Sequence, residues 1–296
     1  MSFKEALNFP FANNNLNKIL QIGLVFGLIL AIQFIFGAAG SIVSGLGNLL
    51  FGLFISGYGI FIMQNVLRGE DRLPDFEIGE SIKRGLWNFL ASLIYLIPLF
   101  LIMVIIVAMV IAPMTGDVFA EIVAGIDNPG YTPDFGDNAG MIPLLMCGAL
   151  LVFVPLTIIL GYAIQIGMLR YAAEDRSGAL FEFGTNIKTV MNNGGQIFKL
   201  FLNQLGIGII YLIATSAVGF ILVLFVGVGL SGASSASNDL GIFAILLLVV
   251  FQVITSIMST CQQVANLHLI AGLGIDIGLV GGKMKNDGSV DMKYDF

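Results

Sequence analysis

Apolar residues dominate this chain in long runs that charged residues do not interrupt. No Asp, Glu, Lys or Arg occurs in the five segments 19–67, 85–116, 138–169, 200–238 and 240–275. A helix needs roughly 20 residues to cross the ~30 Å hydrocarbon core of a bilayer. Each of the last four segments therefore predicts one crossing. The first segment, 49 residues long, predicts two crossings joined by a turn.

Long apolar runs favour helices, because the strands of a membrane barrel would appear as short alternating segments. The predicted fold class is therefore all-α: a polytopic membrane protein whose six helices form three hairpins. Gly and Ser residues between positions 37 and 47 predict the turn inside the first run. The six predicted spans are 17–37, 46–67, 87–112, 142–169, 200–230 and 241–267.

Composition excludes a water-soluble protein. Hydrophobic residues make up 57% of the 296 positions, charged residues make up 11%, and the mean hydropathy is +0.95. Soluble domains carry about 25% charged residues. A chain with so few charges cannot cover its surface in water, so we expect residues 1–296 to form a single transmembrane domain.

Basic residues predict the orientation, because Lys and Arg remain on the cytoplasmic side of short loops. All 13 of them lie in the N-terminal segment 1–18, in the first connector (68–86), in the second connector (170–199) or in the C-terminal segment 272–296. Six spans place these four segments on one face. We therefore expect a multi-pass protein of the cell membrane with both termini cytoplasmic. The segment 113–141 is acidic without a basic residue and is the predicted outer loop.

The chain contains an internal repeat at an offset of 104 residues. Residues 57–72 and 161–176 are identical at seven of 16 positions without a gap, and both end in Glu-Asp-Arg. Each copy closes one hairpin and opens a connector on the same face, which predicts parallel repeats. Apolar residues at helical spacing predict short interfacial helices in residues 1–16 and in both connectors. The tail 272–296 is rich in Gly and is predicted to be flexible.

The two connectors resemble a known family. The segments 68–98 and 169–187 are similar to the signature loops of a prokaryotic six-span family, domain of unknown function 4013. The resemblance rests on Gly69-Glu70 through Leu73-Pro74, and on Tyr171-Ala172 followed by two Phe residues. It implies the six-span fold and implies no activity.

The repeated triplets allow more than one interpretation. One copy consists of Glu70, Asp71 and Arg72 followed by Pro74, and the other of Glu174, Asp175 and Arg176. They predict either an ion-pair network between the repeats or a docking surface for a protein partner. Solvated charges that only fix the topology are the plainer alternative.

The sixth predicted span carries polar residues at steps of three and four, which places them on one helical stripe. Polar groups in hydrocarbon must face protein or water. The stripe therefore lines a passage for a polar or amphiphilic solute, forms hydrogen bonds between helices or contacts another copy of the protein. Its main members are Gln252, Ser256, Ser259, Gln263 and Asn266.

Residues for catalysis or metal binding are scarce. His268 is the only histidine, and the two cysteines, Cys147 and Cys261, both fall in predicted spans. We predict no catalytic residue, no metal site and no cofactor. No basic cluster points to nucleic acid.

Two functions are consistent with the sequence. The first is a non-enzymatic structural or interaction component of the membrane, bound to a protein partner at its connectors or to further copies of itself. The alternative is a transporter or channel for a small polar or amphiphilic solute, lined by the stripe of the sixth span. Apart from the bilayer and such a partner, no other binding partner is predicted.

Overall fold

The computed structural model describes residues 2–111, 123–125, 128, 130, 141–231, 237–279, 282–284 and 290–292. Seven α-helices make up most of this part of the chain: α1 (Phe3–Asn8), α2 (Asn15–Leu67), α3 (Ile78–Ile111), α4 (Met141–Glu174), α5 (Phe183–Asn192), α6 (Gly194–Ser231) and α7 (Ser237–Asp276). Short 3₁₀ turns occupy Phe9–Phe11 and Ser177–Phe181. Strands β1 (Gly282–Met284) and β2 (Val290–Met292) pair antiparallel near the C-terminus. The predicted outer loop lies almost entirely outside the described residues.

Six segments among the described residues are long and apolar enough to cross a membrane, which confirms the predicted fold class. Two of them belong to α2 and are called α2a (Asn15–Ile32) and α2b (Ser41–Leu67). The other four are the long parts of α3, α4, α6 and α7. Helix α2 packs against α7 and α3, α6 packs against α7, and α4 packs against α3 and α5.

Helix α2 folds back on itself. The rings of Phe26 and Phe51 stack with centroids 4.3 Å apart, and Ile29 lies against Gly47. A straight helix would separate Phe26 and Phe51 by about 37 Å, at 1.5 Å per residue. The chain therefore reverses between Ile29 and Gly47, although its backbone is helical throughout. The sequence predicted a turn that interrupts the helix here; Gly-Ser pairs such as Gly40-Ser41 instead allow a sharp bend.

Several helices extend beyond the predicted spans. Helix α3 begins at Ile78, so the first connector contains no separate interfacial helix, and Arg84 lies on α3 itself. Helix α4 continues past residue 169 to Glu174, and α7 continues past residue 267 to Asp276. The predicted spans lie inside charge-free runs. The helices continue beyond them, because ion pairs such as Arg170–Glu174 stabilise a further turn that carries charged residues. The tail 272–296, predicted to be flexible, thus begins in helix and contains β1 and β2.

The buried core lies at the end of the bundle that carries α1, α5 and both connectors, called the connector end below. Tyr58, Ile166, Leu200 and Leu269 are among its buried residues. Toward the opposite end, large apolar side chains such as that of Leu151 are exposed. An apolar surface of this extent requires an apolar solvent, which a bilayer supplies.

The N-terminal helix packs on protein. Ala6 is fully buried, Phe9 is 3% exposed, and the Phe3 ring lies against Gly206 of α6. The sequence predicted a short interfacial helix at residues 1–16. In the structure its apolar residues contact α6 and α7, because the 3₁₀ turn and residues 12–14 let α1 fold back over the connector end.

Candidate functional site

The first connector is held by two polar residues at the start of α2. Asn15, which is 2% exposed, accepts a hydrogen bond from the backbone N–H of Leu73 at 2.7 Å. Its amide donates to the carbonyl oxygens of Phe9 at 2.8 Å and Asp71 at 3.2 Å. One side chain therefore joins the N-terminal segment, α2 and the first connector.

Lys18 binds the same connector one turn further along α2. Its ammonium donates to the carbonyl oxygens of Leu73 and Pro74 at 2.8 and 2.9 Å, and to the Asp75 carboxylate at 2.8 Å. The hydrogen bond and the charge of Lys18 hold the pKa of the Asp75 carboxyl below its usual value. The Tyr58 hydroxyl also donates to the carbonyl oxygen of Pro74, at 2.7 Å. These contacts set the path of the connector around Pro74.

The second connector contains a closed group of two arginines and two glutamates. Arg170 lies 2.9 Å from the Glu174 carboxylate and 2.7 Å from that of Glu182. Arg176 lies 2.8 and 2.6 Å from the same two carboxylates. Hydrogen bonds from Arg176 and Arg170 lower the pKa of Glu182, and the reciprocal bonds to Glu174 and Glu182 raise the pKa of Arg176. These four charges are paired with one another within the protein.

Asn186 of α5 connects this group to α3. It is fully buried, accepts a hydrogen bond from Arg170 at 3.1 Å and donates to the Tyr95 hydroxyl at 2.9 Å. The Tyr95 ring stacks on Phe183, with centroids 3.7 Å apart. The second connector is therefore packed against the bundle by buried polar and aromatic contacts.

Arg84 of α3 links the two repeats. Its side chain is 9% exposed and lies 2.7 Å from the carboxylate of Asp175. It also donates to the Gln64 side chain at 3.3 Å and lies over the Phe61 ring, 4.2 Å from the centroid. One residue of the second triplet thus forms an ion pair between the repeats. Its partner is Arg84, which does not belong to the first triplet.

The first triplet has different surroundings. Glu70 and Arg72 form a pair at 3.7 Å whose side chains are 41% and 75% exposed. No described residue forms an ion pair with the Asp71 carboxylate. The identical sequences Glu70-Asp71-Arg72 and Glu174-Asp175-Arg176 are therefore not equivalent in the structure. Each residue of the second triplet forms an ion pair with a residue outside it, whereas the ion pair described for the first lies within the triplet.

Two depressions flank Asp71. One depression, of ≈ 510 Å³, is lined by Asn13 and the first triplet. The other, of ≈ 610 Å³, is lined by residues that include Asp71 and His268. The His268 ring packs on Phe9 with centroids 4.7 Å apart. We call the exposed polar surface around these depressions the Asp71 surface. It comprises Lys4, Glu5, Asn13, Glu70, Asp71 and Arg72.

The polar stripe predicted on the sixth span lies on α7. The hydroxyls of Thr255 and Ser256 both donate to the backbone carbonyl of Gln252, at 3.1 and 2.7 Å, and Ser256 is 2% exposed. Ser259, Gln262 and Asn266 are half-buried, whereas Gln263 is exposed. Some hydroxyl groups of the stripe therefore find their hydrogen-bond acceptor in the backbone of α7 itself.

Sequence reasoning did not single out Asn15, Arg84, Arg170 or Asn186 as site residues. A signal was present for the two arginines, because each borders a charge-free run and must find a partner where the dielectric constant falls. No comparable signal marks Asn15 and Asn186, whose partners are distant in sequence. Within the described ranges no cluster of three or more His, Cys, Asp or Glu side chains is arranged to hold a metal ion.

Six apolar helices and a polar, ion-paired connector end define a polytopic α-helical membrane protein. The profile of the family described as Protein of unknown function (DUF4013) matches residues 41–214, which is more than half of the chain. The protein therefore belongs to this family, as its connectors indicated. The match begins with α2b, ends in α6 and includes both connectors. No curated protein and no solved structure matches the chain.

Proposed function

We propose that this protein is a non-enzymatic interaction component of the cell membrane. It binds another protein through the Asp71 surface, on the side of the membrane that the basic residues predict to be cytoplasmic. The observation that carries the proposal is the unequal use of the two repeated triplets. The second triplet forms ion pairs with residues outside it, whereas the described residues offer the Asp71 carboxylate no ion pair and the first triplet borders two depressions.

The exposed triplet is held in a defined place. Its backbone is bound by Asn15 and by Asn65, which donates to the carbonyl oxygen of Arg72 at 3.3 Å. Helix α2 ends at Leu67, Gly69 follows with φ +77°, and the N–H of Glu70 returns to the carbonyl oxygen of Asn65 at 2.9 Å. A surface that is ordered before binding loses little conformational entropy on binding, which favours affinity.

The charges of the surface suit a polar partner. Glu5, Glu70 and Asp71 contribute three carboxylates, and Lys4 and Arg72 contribute two cations. Exposed charges of this kind govern specificity and the association rate more than affinity. A partner with basic residues opposite Asp71 would complement the acidic excess.

Co-purification of the full-length protein from its native membranes in mild detergent tests the proposal. The wild-type protein is expected to retain a partner in stoichiometric amount, and Asp71→Lys is expected to lose at least nine-tenths of it. Glu77→Lys provides the matched control, because it makes the same charge change at another exposed position of the first connector. This control is expected to retain the partner.

Two outcomes would contradict the proposal. A wild-type protein without a stoichiometric partner, or an Asp71→Lys variant that keeps it, would exclude the Asp71 surface as the binding site. Uptake of a polar solute by reconstituted vesicles, abolished by substitution of Gln252, would favour the transporter alternative instead.

A further inference from the structure

An apolar cavity of ≈ 470 Å³ lies between α2a and α2b, at the point where the first connector leads into α3. Ligand sites of proteins commonly enclose about 300–1,000 Å³, so a cavity of this volume can hold a small molecule or a segment of a longer one. Among the described residues that line it, Gln21 alone has a polar side chain. The apolar lining consists mainly of Val25, Ile29, Leu50, Phe51, Phe54 and Phe76.

The cavity is closed along its back and at one end. Half-buried rings of Phe51, Phe54 and Phe76 form the back, and the centroids of neighbouring rings lie 6.2 and 6.3 Å apart. Ile29 contacts α2b and closes the end away from the connectors. These contacts leave a groove that extends about 12 Å along α2a from Gln21 to Ile29, at 1.5 Å per residue.

The remaining side of the cavity opens onto the surface that is predicted to face lipid. Val25, Leu50 and Ile78 border this opening and are 52%, 57% and 62% exposed. Water is a poor occupant, because a bound water molecule needs about two to four polar partners and the described lining offers only Gln21. The space therefore suits an apolar chain, and the apolar chains that surround a membrane protein are those of lipids.

A saturated cation lies next to the cavity on the connector side. Lys18 precedes Gln21 by three residues and shares its face of α2a. Its ammonium donates to the carbonyl oxygens of Leu73 and Pro74 and to the Asp75 carboxylate, at 2.8, 2.9 and 2.8 Å. A lysine ammonium has three donors, so these bonds use all of them. Lys18 thus has no donor left for a ligand.

The Asp75 carboxylate, by contrast, is free to accept further hydrogen bonds. Its side chain is 98% exposed. A carboxylate can accept about four hydrogen bonds, and Lys18 supplies the one that is described here. The next residue, Phe76, lines the cavity, so the carboxylate lies beside the connector end of the groove. A headgroup at this position meets a negatively charged acceptor.

We propose that this cavity holds an acyl chain of a membrane lipid whose headgroup ends in a primary ammonium, as in phosphatidylethanolamine. The chain lies against the rings of the back wall, and the ammonium donates to Asp75. A primary ammonium carries three donors, whereas the quaternary ammonium of choline carries none. An anionic headgroup is repelled by Asp75 and finds no free donor on Lys18.

This site is separate from the Asp71 surface. None of the described residues that line the cavity belongs to that surface. The lipid site therefore stands independently of the proposed function, and a protein partner and a lipid can bind at the same time.

Lipid titrations followed by native mass spectrometry test the proposal. The full-length protein is stripped of lipid in mild detergent and titrated with dioleoyl phosphatidylethanolamine, phosphatidylcholine or phosphatidylglycerol. The first phosphatidylethanolamine is expected to bind with a dissociation constant at least fivefold lower than that of either other lipid. Asp75→Asn keeps an acceptor for Lys18 and is expected to remove this preference. Glu5→Gln is the matched control, because it removes an exposed carboxylate outside the cavity, and it should keep the preference.

A second pair of variants tests the chain site itself. Leu50→Trp places a larger side chain across the opening, so it is expected to raise the dissociation constant for phosphatidylethanolamine at least fivefold. Leu212→Trp makes the same change at another exposed apolar position, on α6, and should leave the constant unchanged.

Equal dissociation constants for the three lipids would overturn the proposal, because they would indicate binding to the general apolar surface. Preference for phosphatidylglycerol would overturn it as well. So would an Asp75→Asn variant that keeps the preference for phosphatidylethanolamine, or a Leu50→Trp variant that binds this lipid as tightly as Leu212→Trp.

Discussion

The guanidinium of Arg84 lies 2.7 Å from the carboxylate of Asp175, although the two residues are 91 positions apart. Arg84 is nearly buried and Asp175 ends α4 in the left-handed conformation, with φ +50°. The pair joins α3 of the first repeat to α4 of the second. It adds to the packing of α4 against α3.

Replacement of Arg84 by Ala is expected to lower the free energy of unfolding by about 1–3 kcal/mol, because it removes a nearly buried guanidinium that donates to Gln64 and packs on Phe61. The Asp175 carboxylate with which it pairs is largely exposed. Unfolding in mixed detergent micelles measures the change. Arg72→Ala is the control and should change the free energy by less than about 1 kcal/mol, because its pair with Glu70 is exposed. Equal losses in the two variants would show that the link between Arg84 and Asp175 does not stabilise the bundle.

Two glycines at equivalent positions of the repeat are expected to respond oppositely to alanine. A Cβ at Gly57 would lie 1.7 Å from the carbonyl oxygen of Ser81, so Gly57→Ala forces α2b and α3 apart and should cost at least about 3 kcal/mol. A Cβ at Gly161 meets nothing within 4 Å, so Gly161→Ala should stabilise its helix by about 0.5–1 kcal/mol. The melting temperatures in detergent measure both effects. A similar response of the two variants would contradict the close approach at Gly57.

Loss of the Asn15 side chain is expected to release the N-terminal segment. Asn15→Ala leaves the buried N–H of Leu73 without an acceptor, which costs about 1–3 kcal/mol. Proteolysis near Phe9 should therefore become faster, as measured by mass spectrometry of the products. Asn15→Asp keeps the acceptor for Leu73 and loses the two donated bonds, so its rate should fall between those of the wild type and Asn15→Ala. An Asn15→Ala variant cleaved as slowly as the wild type would show that α1 is held by other contacts.

The ion-paired second connector predicts destabilisation in acid. Hydrogen bonds from Arg176 and Arg170 lower the pKa of Glu182 from its usual 4.5. A carboxyl whose pKa is lower in the folded state contributes stability above the unfolded value and loses it as the pH falls through the folded value. Glu182→Gln should therefore lower the melting temperature at pH 7, and the difference from the wild type should shrink as the pH falls below about 4.5. A difference that is constant with pH would exclude ionisation as its cause.

The orientation of the bundle is testable by labelling. In a protein with Cys147 and Cys261 replaced by Ala, Asn128→Cys should react with an impermeant maleimide added outside intact cells. Lys188→Cys, also exposed, should react only after the cells are opened. The physical reason is the retention of Lys and Arg on the cytoplasmic side. Reaction of both variants in intact cells would place residues 128 and 188 on the same side of the membrane and would contradict the single crossing by α4 between them.

Much of the fold was predictable because the signals that define it are local. The absence of charge over 85–116 or 240–275 is a property of single segments, and a segment of this length and composition must be helical in lipid. The ends of the helices were less predictable. The span ending at 169 continues to Glu174 because Arg170 and Glu174 form an ion pair one turn apart, which a rule based on absence of charge cannot anticipate.

The candidate site was only partly predictable. The repeated triplets indicated the connectors as the chemically distinctive part of the chain, and both copies carried the same predicted roles. Nothing in their sequence distinguishes Asp71 from Asp175. The difference arises from neighbours outside the triplets, since Arg84 lies beside Asp175 while no described residue forms an ion pair with Asp71.

The sequence by itself therefore determined the solvent of this protein, the number of its crossings and the family to which it belongs. Each of these follows from composition and order along short stretches of chain. Only the tertiary structure decided that Asp175 pairs with Arg84, that Asp71 is exposed and that Asn15 accepts a hydrogen bond from the first connector. These properties depend on distances between segments that are far apart in sequence, and packing alone sets those distances.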